Sequence, residues 1–246
     1  MNADTTIKEN RPIQPVRKIV VKGSVDVIIR RSDTPSMVVS SDTTEGVESV
    51  KTTIQGDKLI IENVGTNLLI SGGTVRIGEP FTMVSRNGSV QIFHKGVGSA
   101  VIVSGDLVCG NNTVISGRNV IATAPRIVVT ITLPQVANIK IKGSGDVQLI
   151  DIQQESLSLE ISGSGDIAAN GEVGTLYAEI SGSGDIDTRE LIADRADLSV
   201  TGSGDIKAMA REEADATVVG SGDIVIHGNP PVRRKRVVGS GRIKFR

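Results

Sequence analysis

Five aspartates recur along the second half of the chain at nearly constant intervals: Asp146, Asp166, Asp185, Asp205 and Asp223. Carboxylates on such a spacing could do two kinds of chemistry. Side by side they could hold a ladder of calcium ions, a cation that takes about six to eight oxygen ligands. Across a cleft, two of them could act as acid and base on a glycosidic bond. A structural reading competes with both. Each aspartate sits in a near-copy of one pentapeptide, Gly-Ser-Gly-Asp followed by Ile or Val, so the carboxylates recur because a building unit recurs. One carboxylate per unit beside serines supplies few calcium ligands, and near-equivalent carboxylates lack the distinct acid and base that hydrolysis needs.

Other reactive side chains are scarce. His94 and His227 are the two histidines and stand far apart, whereas a Ser-His-Asp triad needs a histidine oriented by its neighbours. Cys109 is the single cysteine, which excludes an intrachain disulfide framework and reads as a small core residue. One cysteine and two histidines make no closed zinc site without carboxylates. Gly-Ser-Gly-Asp lacks the Lys-Ser/Thr ending of a phosphate loop and precedes no evident helix. The basic run Arg233-Arg-Lys-Arg236 could draw an anion or nucleic acid, but after Asn229-Pro-Pro231 it reads as a solvated loop between repeats. No catalytic residue, cofactor or metal is assigned, and the chain reads as a non-enzyme.

The elements that carry the pentapeptides explain their spacing. Paired glycines mark six units: Gly143 and Gly145, Gly163 and Gly165, Gly182 and Gly184, Gly202 and Gly204, Gly220 and Gly222, Gly239 and Gly241. The first glycines are 20, 19, 20, 18 and 19 residues apart. A period near twenty marks a solenoid, in which no unit buries its apolar face alone. Between the corners, Leu157-Ser-Leu159-Glu-Ile161 and Leu176-Tyr-Ala178-Glu-Ile180 alternate apolar and polar, the pattern of a strand with one buried face. Continued through the corner, this alternation puts Ile161, Gly163, Gly165 and Ile167 inside and Ser162, Ser164 and Asp166 outside. The fold expected is all-β, with coils of about 18–20 residues stacked ~4.8 Å apart. Aspartates stacked at that spacing repel by roughly 1 kcal/mol in water, so backbone N–H groups at the turn must compensate. In the last unit Arg242 takes the aspartate position and is expected to close the column as an end cap.

Composition narrows the function further. The 246 residues carry 27 Lys and Arg against 28 Asp and Glu, a net charge of -1, which provides no global field for nucleic acid or an anionic membrane. Aromatics are 2% with no Trp, so base-stacking platforms are not expected. No apolar stretch is long enough to span a membrane. Met1 to Val21 shows no charged-then-apolar leader, so the sequence as given reads as cytoplasmic or virion-associated, and as an envelope protein if a leader has been removed.

The repeats, together with Lys18-Ile-Val-Val-Lys-Gly23-Ser-Val-Asp26-Val-Ile-Ile, Asp57-Lys-Leu-Ile-Ile61 and Val128-Val-Thr-Ile-Thr-Leu-Pro134, resemble the head GIN domain family of autotransporter-adhesin-like proteins. The resemblance covers about residues 17–62 and 126–246. It implies a right-handed parallel β-helix, export from bacteria and adhesin-like recognition of a surface glycan or protein. Residues 1–16 then form an N-terminal extension and 17–246 one β-helix domain. Residues 64–125 are additional to the family pattern, with short β-like runs that fit extra coils or hairpins. Two other readings remain open at this point: a structural, homo-oligomeric component of an assembly such as a phage virion or tail, and, behind it, a glycan-active enzyme.

Overall fold

The computed structural model describes residues 6–64 and 126–246, together with the backbone of eight short strands between them. The side chains of His94 and Cys109 lie outside the described residues. The chain clusters into two compact units, one of residues 1–8, 40–50 and 63–127 and one of residues 9–39, 51–62 and 128–246.

The first unit holds a short helix, Thr44–Glu48, started by the Thr43 hydroxyl accepting from the Gly46 N–H at 3.0 Å. Its short strands pair antiparallel throughout, in a five-stranded and a three-stranded sheet. A hairpin of Thr66–Ile70 with Gly73–Ile77 is typical of them.

The second unit is a parallel β-solenoid. Four long strands, Val147–Gly163, Ile167–Gly182, Ile186–Gly202 and Ile206–Gly220, each run around most of a coil. Neighbouring coils pair in parallel and in register, glycine on glycine, with slips only at bends such as Leu149/Ile152 and Thr188/Ile192. The core lies inside the coils. Ile19, Ile139, Leu159, Ala178, Leu198 and Ala216 form one buried column, and Val21, Ile141, Ile161, Ile180, Val200 and Val218 the next. Each large aliphatic side chain taken out of water contributes about 1.5–3 kcal/mol. A column of like residues at one spacing fills the narrow interior without rings.

The first turn of the solenoid comes from a distant part of the chain. Lys18–Gly23 lies between Lys58–Asn63 and Asn138–Gly143, and Asp26–Arg31 lies between Ile127–Leu133 and Val147–Gly163. Gly23-Ser24-Val25-Asp26-Val27 is therefore a seventh corner, with Gly23 opposite Gly143. In the turn beyond it, Glu62 pairs with Lys22 and Val128 with Asp26. The chain thus leaves the solenoid after Glu62 and re-enters it at Val128, where a corner would be.

Two expectations need correction. The strand alternation breaks at the corner: Ile161, Gly165 and Ile167 are buried, but Gly163 is only half-buried. Its φ of +148° turns the chain, a conformation that L side chains rarely adopt. Both glycines still pack closely: a Cβ would stand 2.2 Å from the Gly143 carbonyl oxygen at Gly163 and 2.2 Å from the Gly145 carbonyl oxygen at Gly165. Second, the basic run is not a loop. Val232–Gly239 is the last strand of its face, paired with Glu213–Gly220. Its polar composition hid it, because the apolar alternation of the earlier coils stops there.

Candidate functional site

The aspartate column runs along one corner of the solenoid and now starts at Asp26. Its carboxylates are tied to the backbone of the next coil. Asp166 donates its N–H to Asp146 Oδ1 at 3.1 Å, Asp185 to Asp166 at 2.8 Å, Asp205 to Asp185 at 2.8 Å and Asp223 to Asp205 at 2.7 Å. Asp146 donates in the same way to Asp26 at 3.3 Å. Each negative charge thus accepts a charge-assisted hydrogen bond one coil away, which offsets the repulsion between stacked carboxylates. Arg242 ends the row. Its N–H meets Asp223 Oδ1 at 2.9 Å and its Nε stands 3.5 Å from Asp223 Oδ2. Among the described residues no three His, Cys, Asp or Glu side chains come together in a way that could hold a metal ion.

The outer face of the sheet just before this corner lines its side chains up in columns, because consecutive coils share one register. Its first column is Asn138, Ser158, Tyr177, Asp197, Asp215 and Arg234. The second is Lys140, Glu160, Glu179, Ser199, Thr217 and Arg236, and the third Lys142, Ser162, Ser181, Thr201, Val219 and Val238. The charges segregate into bands, basic at Lys140 and Lys142, acidic through the middle coils and basic again at Arg234 and Arg236. Lys140 bridges to Glu160 at one boundary, and at the other Arg234 meets Glu213 at 2.6 Å and Asp215 at 3.7 Å.

Tyr177 stands in the middle of this face with 49% of its surface in water. It is the only tyrosine of the chain. Directly across the strands are Ser158 and Asp197, and Glu179 lies two residues along on the same side. An aromatic ring normally hides its apolar body. Here the ring is presented among acceptors instead. The Asp197 carboxyl is held above the usual carboxylate range, first by partial burial and then by the charge of Asp215 on the next coil. Composition argued against aromatic recognition, yet the signal was legible: in Leu176-Tyr-Ala178-Glu-Ile180 the tyrosine occupies a polar slot of the alternation.

A second feature is a groove of about 530 Å³ at another bend, lined by Arg31, Gln153, Gln154, Glu155, Glu172 and Asp194 among others. Its groups are already engaged with one another. Arg31 donates to Gln153 Oε1 at 2.6 Å, and Arg211 bridges Glu172 at 2.8 Å and Asp194 at 3.9 Å. His227 is half-buried and ends the strand Asp223–His227, away from the tyrosine's columns.

Stacked parallel coils with a glycine-aspartate corner and a polar outer sheet define a repeat protein of the β-solenoid class. The crystal structure of a "putative adhesin" from Bacteroides fragilis NCTC 9343 superposes with a TM-score of 0.57 at 18% identity, over 99% of this chain and 98% of that one. That of a "putative lipid binding protein" from Parabacteroides distasonis ATCC 8503 superposes with a TM-score of 0.50 at 19% identity, over 98% and 96%. Both likenesses are of fold. No curated protein matches the sequence. Residues 16–230 match the family described as "Putative auto-transporter adhesin, head GIN domain", and the chain belongs to that family.

Proposed function

We propose that the protein is a non-catalytic, adhesin-like module that recognises a surface glycan on the outer sheet face centred on Tyr177. The observation that carries this reading is the exposed tyrosine between Ser158, Asp197 and Glu179. Sugars pair an apolar face of C–H groups with a rim of hydroxyls. An exposed ring stacks on the first, and carboxylates, which only accept, take hydrogen bonds from the second. A rigid sheet holds these groups with little entropy to lose on binding. Further rows of Ser and Thr repeat at the coil spacing, which suits a repetitive polymer that engages several subsites at once. The family's description as adhesins supports the same reading.

The test is binding to a panel of immobilised polysaccharides, with Tyr177→Ala as the control. The expected result is retention of at least one glycan and a loss of about tenfold or more in affinity in the variant, the usual cost of truncating a central aromatic anchor. Undiminished glycan binding by Tyr177→Ala would move the site elsewhere. Failure to bind any glycan, with capture by a surface protein instead, would replace the ligand class.

A further inference from the structure

We propose that the last strand of the solenoid, Val232–Gly239, is a docking edge for an acidic, extended peptide segment of a partner protein, which adds to it as one more strand. The proposal does not depend on the tyrosine face. The strand pairs on one side only, with Glu213–Gly220, so every second backbone N–H and C=O points off the end of the sheet. At the other end of this face the outermost coil strand, Lys58–Asn63, is covered by Val50–Gln55.

The side chains state what would fit. Arg233 is spoken for, stacked over the Phe245 ring at 5.0 Å, and Arg234 is held by Glu213 and Asp215. Lys235 and Arg236 have no ion-pair partner among the described residues. Val237 and Val238 are 40% and 49% exposed. An added strand lies ~4.8 Å away, so its side chains fall into the existing columns. Acidic residues then meet Lys235 and Arg236, and aliphatic ones meet Val237 and Val238. Backbone bonds supply affinity and this two-part pattern supplies register, the logic of strand addition to a sheet edge. The same charges reject a second copy: two such edges paired antiparallel about their centre would set Lys235 against Arg236.

The probe is a fluorescein-labelled peptide with four Glu and Asp residues followed by two Val, titrated against the full chain by anisotropy at low and high salt. Binding is expected to weaken with salt, and by about tenfold or more in the double variant Lys235→Glu, Arg236→Glu. Hydrogen exchange should slow at alternate amides of Val232–Gly239, the mark of a new ladder. A peptide with Pro in place of the two central acids, which cannot complete that ladder, should bind more weakly. No binding at low salt would overturn the proposal. So would equal binding of the Pro-containing peptide, uniform rather than alternate protection, or tighter binding of a single-stranded oligonucleotide than of the peptide. The variant's melting curve checks that it folds.

Discussion

At Gly184 the absent side chain is the contribution. A Cβ there would sit 2.0 Å from the Gly165 carbonyl oxygen, and that oxygen belongs to the backbone of the neighbouring coil, which has nowhere to retreat. Gly184→Val is therefore expected to cost about 3 kcal/mol or more in a denaturant melt. Unchanged stability would show that the coils can part locally. Asp197 makes the opposite case, a charge the fold tolerates at a cost. Its folded pKa is raised above 3.8, so between that value and the raised one the folded chain binds more protons than the unfolded. Stability falls as pH rises through this window, and the cost is complete above it. Asp197→Asn should raise the melting temperature at pH 7, with the gain lost near pH 3. An equal gain at both would assign the effect to packing.

At the scale of the coil, the sequence disclosed what repeats and concealed what does not. The period, the inward isoleucines and the glycine pairs follow from sterics that act identically in every unit, so they show in the letters. The bonding partner of each aspartate did not, because backbone compensation at a turn can be made within one coil or across two. Here it crosses to the next coil's amide. The terminal coil was the harder part. Its register puts Arg233 and Lys235 where Ala214 and Ala216 are buried one coil earlier, so the hydrophobic pattern vanishes where the core ends. Charges in inward slots close this sheet end against a second copy of the chain while leaving it open to an acidic strand. We assign Arg242 a related role on the aspartate corner. Arg242→Asp would set a carboxylate against Asp223 and should speed amide exchange in residues 223–246 several-fold, while residues 147–202 keep their protection. Unaltered exchange there would deny the cap. Tyr177 was visible as one letter in a polar slot; its neighbours across the strands became known only with the register.

For the whole molecule, the stretch of chain between Glu62 and Val128 takes the place of a corner. Glu62 is opposite Lys22 and Val128 opposite Asp26, so Asn63, Val64 and Ile127 stand for Gly23, Ser24 and Val25. Removing residues 65–126 leaves a connection of the native length, and asparagine tolerates the left-handed turn that glycine makes. The excised chain is expected to keep the β-rich circular dichroism and the amide protection of residues 138–246. Loss of both would make the first unit a condition for the solenoid. The charged terminal coil also predicts a monomer of 25.8 kDa for the intact chain by light scattering, and a defined oligomer would point to an interface elsewhere on the molecule.

The placement of Lys18–Arg31 between later strands has a consequence in time. Asp26 is bonded to a residue 120 positions downstream. A ribosome adding about 5–20 residues per second delivers that partner roughly 6–24 s after Asp26 itself is made. The later coils need only their immediate predecessors and can zip up as they emerge. Lys18–Gly23 can pair early with Lys58–Asn63, but Asp26–Arg31 must wait for Ile127–Leu133 and Val147–Gly163 on either side of it. The order of the chain thus leaves Asp26–Arg31 without either neighbour through a long stretch of synthesis, open meanwhile to chaperones and proteases.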